Sequence, residues 1–114
     1  MFTHSARYYD HLYAFKDYAG AAAQITEFVR ERRPNARTLL DVACGTGKHL
    51  EFLHKDFEVE GLDLNPDLLA VARERLPGVP LHHADMVDFD LGRQFDVVAC
   101  LFSSIAYVKT LEAA

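Results

Sequence analysis

Residues 39–50 read Leu-Leu-Asp-Val-Ala-Cys-Gly-Thr-Gly-Lys-His-Leu, and this stretch decides the fold. A short apolar run ends at Asp41, and a glycine-rich turn and the start of a helix follow it. This order is typical of the carboxyl end of the first strand in a parallel α/β sheet, where ligands bind. Gly45 and Gly47 lack a Cβ atom, so the turn can adopt positive φ and approach a ligand closely. The free N–H groups that begin the helix favour a negatively charged group.

The spacing of the turn separates the classes of cofactor site. A phosphate-binding P-loop needs Ser or Thr after its Gly-Lys pair and a glycine five positions before it, but His49 and Val42 stand there. A dinucleotide fingerprint needs a third glycine, and Leu50 occupies that position. This weakens the hypothesis of a nucleotide-cofactor oxidoreductase and leaves it as the second enzyme class. The remaining pattern is acid-x-Ala-x-Gly-x-Gly.

A second acid follows at the distance that a ribose site requires. Asp63 ends the next apolar run and lies 22 positions after Asp41. An acid about 20 residues beyond a glycine turn accepts hydrogen bonds from ribose hydroxyls. Capping a helix is the alternative role, but Asn65 and Pro66 already form a typical N-cap and first helical residue. We therefore predict that Asp63 binds a ribose.

Apolar periodicity predicts alternating strands and helices along the chain. Strands are predicted at 38–43, 57–63, 79–83 and 95–102, and helices at 18–33, 49–55 and 66–76, with another helix beginning at 107–114. The alternation of strands and helices implies right-handed crossovers and a parallel sheet of about four strands. The fourth strand is then an open apolar edge, which is a template for pairing in a homodimer or with another chain.

The composition limits the partners and the compartment. The chain has 114 residues, is half hydrophobic and a quarter charged, and carries a net charge of −5 without a basic cluster. We expect one globular domain that binds neither nucleic acid nor membrane. No signal peptide is evident, and Cys44 and Cys100 are predicted to be small buried hydrophobes in a reducing cytoplasm. No metal site is expected, since His82 and His83 point to opposite faces of a strand.

The acid-x-Ala-x-Gly-x-Gly pattern resembles motif I of the class I S-adenosylmethionine (SAM)-dependent methyltransferases. SAM has no phosphate, and its methionine end carries a carboxylate and an ammonium. The helix N-terminus suits the carboxylate, carbonyls near Ala43 suit the ammonium, and Asp41 would brace the loop. By this resemblance Asp85 accepts from the adenine amino group, the alternative being that it only starts a turn.

Several segments narrow the resemblance. Residues 9–13, 16–18, 39–51, 84–89, 91–93 and 102–110 are similar to the N,N-dimethyltransferases that modify TDP-linked amino sugars in macrolide biosynthesis. The implied cofactor contacts are Ala43 and Gly45 (methionine end), Asp63, often Glu in the family (ribose), Asp85 with Met86 (adenine), and Leu101 (transferring methyl). Gly47 and Leu64 are also implied to bind the cofactor, and Tyr13 would lie near the cofactor or the sugar. A sugar amine would attack the SAM methyl in line after losing a proton. No catalytic base is identified.

The resemblance also sets an expectation about extent. The family has a Rossmann-like fold of about seven strands, so the four predicted here, in the implied order 3-2-1-4, would form its N-terminal, cofactor-binding part. Residues 1–17 are predicted as an aromatic lid segment, with Tyr9, Leu12 and Tyr13 on one face of a short helix, ahead of a partial domain at 18–114. Aromatic rings suit either packing or a sulfonium cation. A methyltransferase acting on another small molecule, and a non-catalytic module that pairs through its open sheet edge, are the alternative functions.

Overall fold

The structure of the chain is a computed structural model that describes residues 9–13, 18–85, 94–101 and 105–110. Its elements are β1 (Tyr9–Tyr13), α1 (Tyr18–Arg32), β2 (Thr38–Val42), α2 (Lys48–Leu53), β3 (Glu58–Asp63), α3 (Pro66–Arg75), β4 (Leu81–His83), β5 (Val97–Leu101) and β6 (Ile105–Thr110). Among these residues no helix has the length and apolar character that crossing a membrane requires.

The six strands form one sheet in the order β1-β6-β5-β2-β3-β4. The central strand β2 is parallel to both neighbours, with Leu39 opposite Val59 on β3 and Val97 on β5. β3 is in turn parallel to β4. The four strands predicted from the sequence therefore pair in the predicted order, 3-2-1-4, and their ends lie within two residues of the predicted positions.

The prediction of an open edge at the fourth predicted strand, β5, is wrong. β6 pairs antiparallel with β5, from Val97 opposite Thr110 to Leu101 opposite Ala106. The edge of the fourth predicted strand is thus covered within the chain and is not left open for pairing with a second copy or another protein. The interaction-module hypothesis depended on that edge and loses its structural basis.

Two predicted helices are strands, and both predictions are wrong for the same reason. The first, at Tyr9 to Tyr13, is β1, which pairs with β6. The second was expected from Tyr107 onward, where the structure has β6 with Val108 fully buried. Local spacing favoured helices, but the edge of β5 offers unpaired backbone groups to β6, and the outer edge of β6 offers them in turn to β1. β1 belongs to the same sheet as the rest of the chain, and the predicted cap at Asp17 lies outside the described residues.

The helices cover one face of the sheet. α1, α2 and α3 bury Ile25, Leu53 and Leu69 in the cluster that contains Leu39 and Val97. Residues one position further along the strands, such as Leu40, point to the opposite face and form a second, smaller cluster. The carboxyl ends of the parallel strands are thereby held rigidly along one rim of the sheet.

Asp96 fastens the opposite, amino end of the sheet. Its Oδ2 accepts from the N–H of Arg37 at 2.7 Å and of Thr38 at 3.2 Å, and its Oδ1 lies 2.9 Å from Arg33 Nη2. Burial acts to raise the pKa of this carboxyl, but these N–H groups and the Arg33 charge outweigh it and hold the pKa below the usual 3.8. The ionised side chain joins the starts of β2 and β5 to the end of α1.

Replacing Asp96→Asn should lower the free energy of unfolding by roughly 1.5–3 kcal/mol at pH 7, because hydrogen bonds to a charged acceptor are lost. The native pKa lies below the unfolded one. The contribution is therefore present above about pH 4 and disappears as the pH falls through the native pKa. Urea unfolding at pH 7 and pH 3 measures the difference, with the exposed Asp56→Asn as control. If the difference in unfolding free energy between the wild type and Asp96→Asn were the same at both pH values, the role of the ionised Asp96 would be contradicted.

Candidate functional site

A loop at residues 43–47 joins β2 to α2 at the carboxyl rim of the sheet. Its backbone has positive φ at Ala43 (63°), Gly45 (58°) and Gly47 (81°). Sequence reasoning predicted this conformation for the two glycines and missed Ala43. The left-handed conformation costs about 1–2 kcal/mol at this residue, because it has a Cβ atom. Alternate left-handed residues fold the loop back over the ends of the strands.

Backbone hydrogen bonds hold the loop against β3. Cys44 N–H donates to Leu62 O at 2.9 Å, and Gly45 N–H donates to Asp63 Oδ2 at 2.8 Å. Gly47 N–H donates to Cys44 O at 3.0 Å, which closes the turn. The loop and the acid at the end of the next strand therefore form one structural unit.

The second oxygen of Asp63, Oδ1, accepts from the N–H of Asn65 at 2.8 Å. The cap of α3 is Asn65 itself, whose side chain accepts from Asp67 N at 2.9 Å and Leu68 N at 3.3 Å. This confirms that Asn65 and Pro66 start the helix. A carboxylate has about four acceptor positions, so the half-buried Asp63 can still accept from a ligand.

The two loop glycines have different surroundings. A Cβ atom built on Gly45 would meet no atom of the described residues within 4 Å, so none of them fills the space beside this position. A Cβ atom on Gly47 would lie 2.7 Å from Leu76 Cδ1 and 3.3 Å from Ala72 Cβ. Gly45 leaves room above the loop, whereas Gly47 lets the loop rest on the end of α3.

Gly61 on β3 is a third glycine that sequence reasoning missed. A Cβ atom there would lie within 2.9 Å of Cys44 Sγ, Leu81 Cδ2 and Leu50 Cδ1. The close approach of helix to strand, which the third glycine provides in a dinucleotide fingerprint, is here provided by β3. Leu50 fills that space and is fully buried. This arrangement is a structural argument against the oxidoreductase alternative.

Asp41 is a buried acid beneath the loop. It is 1% exposed, and its Oδ1 has no hydrogen-bond partner in the part of the chain that the structure describes. The loop was expected to be braced by this side chain, but no bond to this oxygen does so. Burial, and secondarily the charge of Asp63, raise the pKa of Asp41 well above its usual range. A hydrogen-bond donor or a positive charge nearby would relieve this cost.

Both cysteines are buried free thiols. Burial raises the pKa of Cys44 and of Cys100 to about 12, so neither is a nucleophile at neutral pH. Their predicted role as small hydrophobes is confirmed. His82 Nε2 lies 2.7 Å from Glu60 Oε1 and His83 Nε2 lies 2.8 Å from Leu64 O, so each ring already has a protein partner.

The remaining predicted site residues lie along the same rim. Leu64 is 64% exposed beside Asp63. Ala84 N–H donates to Asp63 O at 3.1 Å, which places the exposed Asp85 next to the end of β3. Leu101 ends β5 and is 7% exposed. The backbone of Tyr13 pairs with Ile105, which also lies at this end of the sheet. Met86 lies outside the described residues.

The site also contains an aromatic pair that the sequence did not indicate. The rings of Tyr18 and His49 meet edge to face with centroids 4.8 Å apart. Lys48 Nζ lies 5.4 Å from the centroid of the Tyr18 ring. Burial lowers the pKa of His49, so the neutral ring is favoured beside the loop. The pair joins the start of α1 to the start of α2.

Comparisons with known proteins identify the family. The sequence profile described as "Methyltransferase domain" matches residues 39–114. This chain belongs to the methyltransferase domain family. It is 54% identical over 98 residues to the dTDP-3-amino-3,4,6-trideoxy-alpha-D-glucopyranose N,N-dimethyltransferase of Streptomyces venezuelae, covering 85% of this chain and 41% of that enzyme. A related N,N-dimethyltransferase of Streptomyces fradiae, which acts on a dTDP-3-amino-3,6-dideoxy sugar, is also 54% identical, over 82% of this chain and 37% of its own length.

Solved structures of the family agree with the fold. The SAM-bound structure of CalS10, an amino pentose methyltransferase from Micromonospora echinaspora, has a TM-score of 0.74 and 55% identity, covering 76% of this chain and 37% of CalS10. Streptomyces venezuelae DesVI has the same TM-score and 53% identity, with the same coverage of both chains. The chain spans about two-fifths of the length of the relatives that it matches.

Replacing Gly45 and replacing Gly47 should lower the free energy of unfolding by different amounts. Gly47→Ala should destabilise most, because its Cβ meets Leu76 and Ala72 in addition to the strain at positive φ. Gly45→Ala should cost only the strain of about 1–2 kcal/mol. Gly78→Ala is the matched control, since Gly78 also has positive φ (85°) and open space. Urea unfolding of the three variants gives the ranking, and a Gly45→Ala loss as large as that of Gly47→Ala would contradict it.

Asp41→Asn should show a stability advantage that grows with pH. The native pKa of Asp41 lies above the unfolded value, so its favourable contribution is complete below about pH 4 and is lost as the pH rises through the native pKa. Asparagine does not titrate, so the difference should grow by up to about 1.4 kcal/mol per pH unit in that window. Melting temperatures from pH 4 to pH 8 measure it, with Asp56→Asn as the control for charge. A difference that is flat or declining with pH would contradict the burial of an acid here.

Proposed function

We propose that this chain supplies the cofactor site of a SAM-dependent methyltransferase that methylates the amine of a nucleotide-linked amino sugar. The observation that carries the proposal is the order of groups along the rim: Leu101 on β5, the 43–47 loop on β2, Asp63 on β3 and Asp85 after β4. Three strand spacings separate β5 from β4, a span of about 14 Å. An elongated ligand with a reactive group, a ribose and a base at successive positions fits that rim.

The loop suits the methionine end of SAM. None of the described residues fills the space beside Gly45, and the left-handed residues 43, 45 and 47 let the backbone approach a ligand closely. The Asp63 carboxylate, which is bonded to the loop, favours a cationic group there, and such a group would also lower the raised pKa of the buried Asp41. We assign Ala43, Gly45 and Gly47 to this end of the cofactor. The helix that follows has only six residues, so we assign it no anion site of its own.

Asp63, Leu64 and Asp85 suit the nucleoside end. The Asp63 carboxylate is already oriented by two backbone N–H groups and keeps acceptor positions for the ribose hydroxyls. Leu64 is an exposed apolar side chain beside it, where an adenine ring can pack. We assign Asp85 and Met86 to the adenine edge, and Tyr13 to the cofactor or the sugar at the other end of the rim.

The chemistry of the proposed reaction is mainly positioning. When bound, SAM supplies an electrophilic methyl group on a sulfonium. The loop and Asp63 would orient that methyl toward the end of β5 near Leu101. The acceptor amine forms the new N–C bond as the S–C bond breaks, and the amine proton passes to solvent or to a base that we do not assign. The relatives that act on dTDP-amino sugars support an amino-sugar acceptor.

Binding of S-adenosylhomocysteine by calorimetry tests the cofactor part of the proposal, with NAD as the competing ligand. We expect micromolar binding of the former and none of the latter. Binding of NAD alone would favour the oxidoreductase. The acceptor part is tested by mass spectrometry after incubation with SAM and a TDP-3-amino sugar, where methylated amine is expected. Cofactor binding without methylation of any offered amine would leave the acceptor assignment without support.

Asp63→Ala should weaken S-adenosylhomocysteine binding by roughly 1–3 kcal/mol, because ribose hydroxyls lose a charged acceptor. Asp63 also anchors the loop, so the ribose contact needs its own measurement. The 2′-deoxy form of the ligand should bind the wild-type chain less well, and Asp63→Ala should abolish that preference. Asp67→Ala, which removes an exposed carboxylate from the first turn of α3, is the control. A 2′-hydroxyl preference that survives in Asp63→Ala would remove Asp63 from the ribose site.

A further inference from the structure

Arg75 connects the end of α3 to the cofactor loop. It is half-buried, and its Nη1 donates to Thr46 O at 3.2 Å, across 29 positions of sequence. No pattern in the sequence indicated this contact. An arginine in the last turn of a helix is also favoured by the helix dipole. The side chain is therefore held at the helix end while its guanidinium reaches the loop.

The same helix end packs under the loop. Gly47 approaches so closely that a Cβ atom there would clash with Leu76 Cδ1 and crowd Ala72 Cβ. On the opposite side the loop is bonded to β3 through the N–H groups of Cys44 and Gly45. The loop thus has two independent supports, and Arg75 supplies the polar bond of the α3 support.

Both ends of α3 contact the site. At its start, the N–H of the capping residue Asn65 donates to Asp63 Oδ1. At its end, Arg75 bonds to Thr46 O. The helix has ten residues and is therefore about 15 Å long. It acts as a rigid link between the carboxylate assigned to the ribose and the loop assigned to the methionine end.

We propose that Arg75 is a positioning residue that fixes Thr46, and with it the 43–47 loop, in the shape that receives the methionine end of the cofactor. The proposal rests on the proposed function for the identity of the ligand. Loss of the guanidinium leaves the β3 support intact. The ribose end should therefore keep its contacts while the methionine end loses a preformed surface.

The test compares two ligands and three variants. Arg75→Met keeps the packing of the alkyl chain, Arg75→Lys keeps a donor, and Arg73→Met removes an exposed arginine two positions away as the matched control. Calorimetry measures binding of S-adenosylhomocysteine and of methylthioadenosine, which lacks the amino-acid end. Amide hydrogen exchange of Gly45 and Gly47 is measured without ligand.

We expect Arg75→Met to weaken S-adenosylhomocysteine binding about two- to tenfold, the range for one hydrogen bond, and to leave methylthioadenosine unchanged. The Gly47 amide should exchange faster, while the Gly45 amide, which belongs to the β3 support, should stay protected. Arg75→Lys should recover part of the effects on binding and on Gly47 exchange, and Arg73→Met should match the wild type. An equal loss for both ligands, or an unchanged Arg75→Met, would overturn the proposal. If the wild-type chain bound neither ligand, the proposed function would fail, and unchanged loop exchange in Arg75→Met would separately overturn the positioning role.

Discussion

The hydrogen bond from Gly45 N–H to the Asp63 carboxylate joins the two parts of the site. The donor belongs to the loop after β2, and the acceptor ends β3. Because β2 and β3 are parallel neighbours with Val42 opposite Leu62, their carboxyl ends arrive together and the bond needs no distortion of either strand. The loop conformation, the direction of the carboxylate and the start of α3 all depend on this pairing.

That pairing is possible because Gly61 leaves the space that the loop and the first helix occupy. Cys44, Leu50 and Leu81 all approach the place where a side chain on Gly61 would stand. A larger residue would push the loop away from β3 and lengthen the Gly45–Asp63 bond. Packing beneath the site and hydrogen bonding within it are therefore one constraint, and β3 contributes to both.

Much of this could be read from the sequence. β2 and β5 are mainly apolar, and turn signals bound all four parallel strands, so their number followed from local pattern, while their order followed from the family resemblance. β1 and β6 did not follow, because the reason that they are strands is the unpaired edge of β5, which is a property of the folded sheet. The candidate residues Gly45 and Asp63 followed from spacing, and Asp85 followed from the family resemblance. The left-handed Ala43, the Glu60–His82 pair and Arg75 were not, because each depends on a register or a contact between distant segments.

The buried Asp41 destabilises the empty site, and ligand binding would offset this cost. A buried carboxyl with an unbonded oxygen, next to a second acid, opposes folding of the empty chain. A hydrophobic residue in the place of Asp41 would pack without that cost. A ligand bearing an ammonium and a sulfonium, however, would bring positive charge near Asp41, and that charge would lower the raised pKa of this carboxyl and favour its ionised form. The cost that the buried Asp41 imposes on the empty site is thus one that a cationic ligand at the loop would offset.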